Sequence, residues 1–174
     1  MNEHELIHRL LAATFLGGIL GLNRNLRGKA AGLRTHALVS LGAALTVLTA
    51  DLVIGTGPGA ERGAITRAIQ GIIAGVGFLG AGAILKSRVQ HHGIRGLTTA
   101  ASIWLAASIG IACGAGYWLP ALIGVVLALV VLTIGRPIEN VVDRMFGVVR
   151  RTQHPRDGPA SAAPARSPAP PAEP

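Results

Sequence analysis

Apolar and charged positions are strongly segregated along this chain. Runs at Leu6–Leu22, Ala37–Ile54, Ala68–Leu85, Thr98–Ala115 and Tyr117–Ile134 hold almost no ionisable side chain, and short basic segments separate most of them. A helix rises about 1.5 Å per residue, so roughly 17–25 apolar residues are needed to cross a bilayer. Each run therefore predicts one transmembrane helix. Five of them in 174 residues leave no stretch from which a water-soluble core could be built. The fold class that follows is an all-α integral membrane protein, with a transmembrane domain over 1–135.

Beyond the fifth run the pattern changes twice. Ile138, Val141, Val142, Met145, Phe146 and Val149 recur at helical spacing with charged residues between them, which predicts a short amphipathic helix over 136–154. Such a helix belongs on the cytoplasmic membrane surface or against the bundle. From Pro155 the chain becomes rich in Pro and Ala with no apolar periodicity, and 155–174 reads as a disordered tail.

Composition agrees, with 14% charged residues and a mean hydropathy of +0.50, where soluble domains carry about 25% charge. The net charge of +8 raises the question of nucleic acid. Aromatic residues make up only 3% of the chain, however, and the basic residues lie in short loops. That distribution suits topology rather than nucleic-acid binding. The loop after the first span carries Arg24, Arg27, Lys29 and Arg34; the loop after the third carries Lys86, Arg88 and Arg95. With Arg136, Arg144, Arg150, Arg151, Arg156 and Arg166, thirteen of the 16 Lys and Arg share one side. Arg9, Arg62 and Arg67 remain for the other. The positive side is cytoplasmic, so the N-terminus faces outward and the C-terminus inward. The acidic start, Met1 to Glu5, is unlike a signal peptide, and Leu6 onward reads as a retained helix. Cys113 is the single cysteine and offers no disulfide framework. Tyr117 and Trp118 stand where an interfacial aromatic anchor belongs.

The first four spans read as one helix pair used twice. Phe15-Leu16-Gly17-Gly18 recurs as Phe78-Leu79-Gly80-Ala81, and Gly32-Leu33-Arg34-Thr35 as Gly96-Leu97-Thr98-Thr99, each copy with a basic loop between. The alternative is chance similarity among Gly-, Leu- and Ala-rich segments. Gly17/Gly21, Gly71/Gly75 and Gly110/Gly114 are spaced to let helix backbones approach closely in lipid. Span three holds Gly71, Gly75, Gly77, Gly80 and Gly82. So many glycines weaken a helix unless close neighbours surround it, which predicts that span three lies at the bundle centre and rejects larger side chains.

Few residues are placed for chemistry. The chain reads as holding no Ser/His/Asp arrangement, no paired metal-ligand spacing and no phosphate-cradling loop, and so as non-enzymatic, with no cofactor. His91 and His92 are adjacent in a loop, and their side chains diverge. Asp51 is the one carboxylate within a predicted span, and an intramembrane charge marks a candidate site. Two readings stand. Asp51 forms an ion pair with Arg9 and Arg67 that ties three helices at their outer ends, or it contributes one ligand to an external Mg²⁺ site, against the field of those arginines. On the cytoplasmic side Asn23, Arg24, Arg34, Thr35, Arg95, Thr98 and Thr99 converge at the ends of the helix pairs. Thr35 and Thr99 suit capping of spans two and four. Arginines with helix N-termini suit an anion such as lipid phosphate or a partner's acidic segment.

Several of these stretches carry a family resemblance. Arg9-Leu10-Leu11-Ala12-Ala13, Gly21-Leu22-Asn23-Arg24, Ala31-Gly32-Leu33-Arg34-Thr35-His36, Leu38-Val39-Ser40-Leu41-Gly42, Gly75-Val76-Gly77-Phe78-Leu79-Gly80-Ala81-Gly82 and Gly96-Leu97-Thr98-Thr99-Ala100-Ala101-Ser102-Ile103-Trp104 resemble the MgtC/SapB family of bacterial membrane proteins, over about Glu5 to Ile134. Asn23 and Asn25 stand where the family commonly has acidic residues. The longer members add a soluble cytoplasmic domain, in place of which this chain has the short helix and Pro/Ala tail. The resemblance implies an inner-membrane protein linked to magnesium homeostasis and, in pathogens, to survival in the host. It implies either a small regulator of other membrane complexes or a Mg²⁺ transporter or accessory subunit. Its partners would be the bilayer and a membrane protein or a second copy, with no nucleic acid.

The orientation is testable by cysteine labelling in intact cells after Cys113 is replaced. A cysteine at position 29 or 91 is expected to stay unlabelled by an impermeant reagent, and one at position 56 to be labelled. The reverse pattern overturns the assignment.

Overall fold

The computed structural model describes residues 2–54, 63–90 and 96–146. Each apolar run has become a helix: α1 (Glu3–Leu26), α2 (Leu33–Ile54), α3 (Gly63–Gln90), α4 (Leu97–Gly114) and α5 (Trp118–Met145). All five are long and apolar enough to span a bilayer. No strand occurs among the described residues. A chain crossing lipid must satisfy its backbone polar groups internally, and a helix does so within one segment. The hydroxyls inside the spans follow the same rule. Thr14, Thr46, Thr49 and Ser108 each donate to the carbonyl four residues earlier, the usual resort of such side chains in a helix.

Glycines set where the helices begin and end. The carbonyl of Gly32 accepts from the His36 N–H, and that of Gly96 from the Ala100 N–H. Both residues thus stand at the start of a helix. Gly96 adopts φ +100, a left-handed conformation that costs other residues more. A Cβ there would also lie 2.9 Å from the Ala83 carbonyl oxygen. At the other end of α4, Gly116 has φ +84. Its N–H bonds the Cys113 carbonyl while the Tyr117 N–H bonds the Ala112 carbonyl, the paired bonds of a Schellman stop. This is the tight connection expected before Tyr117. Thr35 and Thr99 are not the caps: both lie in the third helical position, and glycine occupies the cap.

The core forms around α4. Half of its span is buried, against 11% for α3. Ala106, Ile109 and Cys113 pack with Ala13, Leu16 and Leu20 of α1, Ala44 of α2, and Ala121, Val125 and Ala128 of α5. A second cluster joins Ile103 and Ala107 to Ala43 of α2 and Val76 of α3. The closest approach is α4 on α2. A Cβ on Gly110 would collide with the Ser40 carbonyl, and one on Gly114 would lie 2.6 Å from the Ala44 carbonyl oxygen. On α1, Gly17 faces Ser40 and Gly21 faces Leu33 and His36 of α2. Gly80 of α3 meets Ala100 of α4, much as Gly17 meets His36 across the α1–α2 pair.

Two expectations change. Span three is not the centre of this chain. Around Gly71, Gly75, Gly77 and Gly82 there is open space, and only Gly80 of that set packs closely. Small-residue spacing permits close packing, but close packing also needs an opposing helix, and within one chain α4 takes the central place. The fifth span and the amphipathic segment also share one helix, because α5 continues through Pro137 to Met145. The transmembrane bundle runs to Arg136, and residues from Pro137 form a unit of their own. The remainder of the expected amphipathic helix, and the segment 155–174, lie outside the described residues.

The crossing of α2 and α4 makes a stability prediction. Gly110→Ala adds a methyl where the Ser40 backbone already stands, and overpacking of this kind costs about 1–3 kcal/mol. Gly75→Ala, in open space, is expected to be neutral or slightly stabilising, since alanine is the better helix former. Unfolding of the two variants in the same detergent compares them directly.

Candidate functional site

Where α1 ends and α2 and α4 begin, the apolar core gives way to a buried polar seam. Arg24 lies in the last turn of α1, where a cation is favoured by the helix dipole. It is only 3% exposed. Its Nη2 donates to the Thr99 hydroxyl at 2.7 Å, across from α1 to α4. Ser102, one turn further along α4, donates its hydroxyl to the Thr99 carbonyl at 2.8 Å. His36 of α2 completes the seam. It is fully buried, with Nδ1 2.9 Å from the Gly32 carbonyl and Nε2 3.1 Å from the Ser102 hydroxyl.

Hydrogen bookkeeping constrains the seam. The Gly32 carbonyl can only accept, so Nδ1 of His36 carries a proton. A neutral ring then leaves Nε2 to accept from Ser102, and the hydroxyl must turn away from the Thr99 carbonyl. A doubly protonated ring donates to Ser102 instead, and the hydroxyl keeps Thr99. The geometry of the two bonds therefore couples the rotor of Ser102 to the protonation of His36. Ser40, one turn beyond His36, is buried with its hydroxyl unpartnered, as is the Oδ1 of Asn23. The tight passage of Gly17 and Gly110 past Ser40 accounts for its enclosure.

The seven residues expected at this face thus divide. Arg24 and Thr99 are bonded to each other, and Asn23 lies partly buried beside Arg24 in α1. Arg34, Thr35 and Thr98 are exposed. Arg95 lies outside the described residues. His36, Ser40 and Ser102 belong to the seam and were missed. A readable signal did exist: His36 and Ser40 stand four apart, and Thr99 and Ser102 three apart, so each pair forms a polar stripe on one helix face.

The residues expected to pair at the opposite end of the bundle also part company. Arg9 pairs with Glu5, one turn earlier in α1, rather than with Asp51. It also donates to the Gly114 carbonyl at 3.0 Å and covers Gly116, so it caps the C-terminus of α4. Asp51 and Arg67 are both exposed. The three-helix ion pair read for Arg9, Asp51 and Arg67 therefore lacks its Arg9 arm, because a carboxylate on the same helix is nearer. Among the described residues, no three of His, Cys, Asp and Glu come together as a metal ligand set.

The Arg24–Thr99 bond should carry measurable stability, since a buried hydrogen bond to a charged group contributes about 1.5–3 kcal/mol. Thr99→Val is expected to lose about that much in detergent unfolding. Thr99→Ser keeps the acceptor and is expected to lose less than half as much.

Comparison with known proteins places this geometry in a wider group. A family model described as the MgtC family matches residues 10–141. Protein SrpB of Synechococcus elongatus is 43% identical over 130 residues, covering 72% of this chain and 71% of its own. Protein MgtC of Brucella abortus is 39% identical over 142 residues, covering 82% of this chain and 55% of its own. YhiD of Escherichia coli, named as a candidate magnesium transporter, is 40% identical over 139 residues, covering 75% of this chain and 60% of its own. The chain thus spans little more than half the length of these last two relatives. No solved structure matches it. With the matched segment covering the five apolar helices and the polar seam, the chain belongs to the MgtC family.

Proposed function

We propose that this multi-pass membrane protein serves magnesium homeostasis as a small regulator of other membrane complexes and is not itself an enzyme. The magnesium link rests on its family and on the name of its YhiD relative. The regulatory reading rests on one observation: the charge held deepest at the seam is the guanidinium of Arg24, 3% exposed between α1 and α4. A Mg²⁺ ion is held by oxygen ligands, carboxylates above all, and gives up its water reluctantly. A buried cation at the junction of three helices repels such an ion and favours an anionic group or a partner's acidic segment at that face. The chain would lie in the bacterial inner membrane with the N-terminus outside and the seam at the cytoplasmic side, where the basic loops concentrate. Its partner there would be a membrane protein or a second copy.

A second reading, transport of Mg²⁺, draws on the name of the YhiD relative and on Asp51 as the carboxylate near the outer end of α2. The two readings separate in liposomes. Purified protein reconstituted with a Mg²⁺-sensitive dye inside is expected to give no flux above empty vesicles. Flux that Asp51→Asn abolishes overturns the regulatory reading in favour of transport.

A further inference from the structure

At the end of the bundle opposite the seam, the first two turns of α1 carry a motif that the function above does not use. His4-Glu5-Leu6-Ile7-His8 has the H-E-x-x-H spacing, which on a helix sets two imidazoles on one face, one turn apart. Here the segment is helical, since α1 begins at Glu3 and His4 is its second residue. Both histidines are exposed and line one cavity of about 520 Å³, together with Glu5, Arg9 and Trp118. Neither ring takes part in a hydrogen bond among the described residues, whereas the nearby carboxylate and guanidinium do. Glu5 is held by Arg9, and Arg9 is tied to the Gly114 carbonyl. The side chains that flank the imidazoles are therefore fixed, and the imidazoles are available.

We propose that His4 and His8 bind a divalent transition metal of the Cu²⁺, Ni²⁺ and Zn²⁺ class, with two imidazole nitrogens as ligands and water in the remaining positions. Imidazole suits these ions, whereas Mg²⁺ takes oxygen. The site is thus chemically separate from any magnesium role. The positive N-terminus of α1 opposes a cation, and the carboxylate of Glu3 in the same turn offsets it. In zinc peptidases the glutamate of this spacing activates a metal-bound water. Glu5 is engaged by Arg9, and no third protein ligand joins the pair, so binding is proposed and hydrolysis is not.

Trp118 lines the same cavity and supplies the readout. Untagged protein carrying Trp104→Phe, stripped with a chelator in detergent, is titrated with Cu²⁺ while the remaining indole fluorescence is followed. Saturable quenching at one Cu²⁺ per chain is expected, together with an electron paramagnetic resonance spectrum showing two nitrogen ligands. Zn²⁺ should compete and Mg²⁺ in large excess should not. His4→Ala and His8→Ala, both at exposed positions, should each abolish the saturable phase without changing the helical circular dichroism. His91→Ala with His92→Ala should leave it intact. Quenching that survives His4→Ala with His8→Ala, or that disappears with the His91 and His92 pair, overturns the proposal.

Discussion

The contact on which the bundle depends is backbone against backbone, where α4 crosses α2. Lipid chains are as apolar as leucine, so burying apolar side chains gains little inside a bilayer, and helices associate through close packing and hydrogen bonds. Gly110 and Gly114 let α4 come down onto the carbonyls of Ser40 and Ala44. Gly17 lets α1 approach the same serine through its side chain. Three helices thus meet at one serine, and each approach requires the absence of a Cβ. Larger residues at those glycines would push the helices apart and forfeit the dispersion contacts of the whole interface.

The polar seam exists because of that crossing. His36 lies one turn from Ser40 on α2, and Thr99 and Ser102 lie two to three turns from Gly110 on α4. Only when α2 and α4 pack at glycine distance does the His36 ring reach the Ser102 hydroxyl, and only with α1 held by Gly17 and Gly21 does Arg24 reach Thr99. A buried guanidinium is costly unless its donors are satisfied. At the C-terminal end of α1 the helix dipole favours the charge and the Thr99 hydroxyl accepts from Nη2, which offsets part of that cost, while the buried Nε makes no hydrogen bond among the described residues. The seam therefore joins the three central helices by directional bonds, where the glycine contacts join them by shape.

The two ends of the bundle differ in chemistry. One end concentrates guanidinium, hydroxyl and imidazole groups in a desolvated seam. The other keeps its imidazoles at the surface and spends its arginine on closing a helix. Arg9 caps the C-terminus of α4 and holds Glu5, which braces α1 against the turn at Gly116. The buried cation thus lies at the end where α1 runs into the basic first loop, and the exposed imidazoles at the other.

Much of the architecture was determined by sequence alone, for a physical reason. A bilayer imposes a length on every spanning helix, so five apolar runs specified five helices, and the left-handed glycines at 96 and 116 fell where helices had to start or stop. Arg24 and Thr99 were legible as a polar cluster because polar residues stand out against apolar runs. The expectation of no paired metal-ligand spacing fails at His4-Glu5-Leu6-Ile7-His8, where H-E-x-x-H stands in the sequence itself and only the helix at Glu3 gives that spacing a shared face. What the sequence left open was which faces meet. Gly71/Gly75 and Gly110/Gly114 have the same spacing, yet α3 leaves the first pair in open space while α4 presses the second onto α2. Spacing shows that a helix face is small and says nothing about what opposes it. In the same way Arg9 could pair with Asp51 or with Glu5, and His36 could sit anywhere around its helix. Those choices depend on the relative rotation of neighbouring helices, which is set by contacts between residues far apart in the chain, and only the tertiary structure decided them.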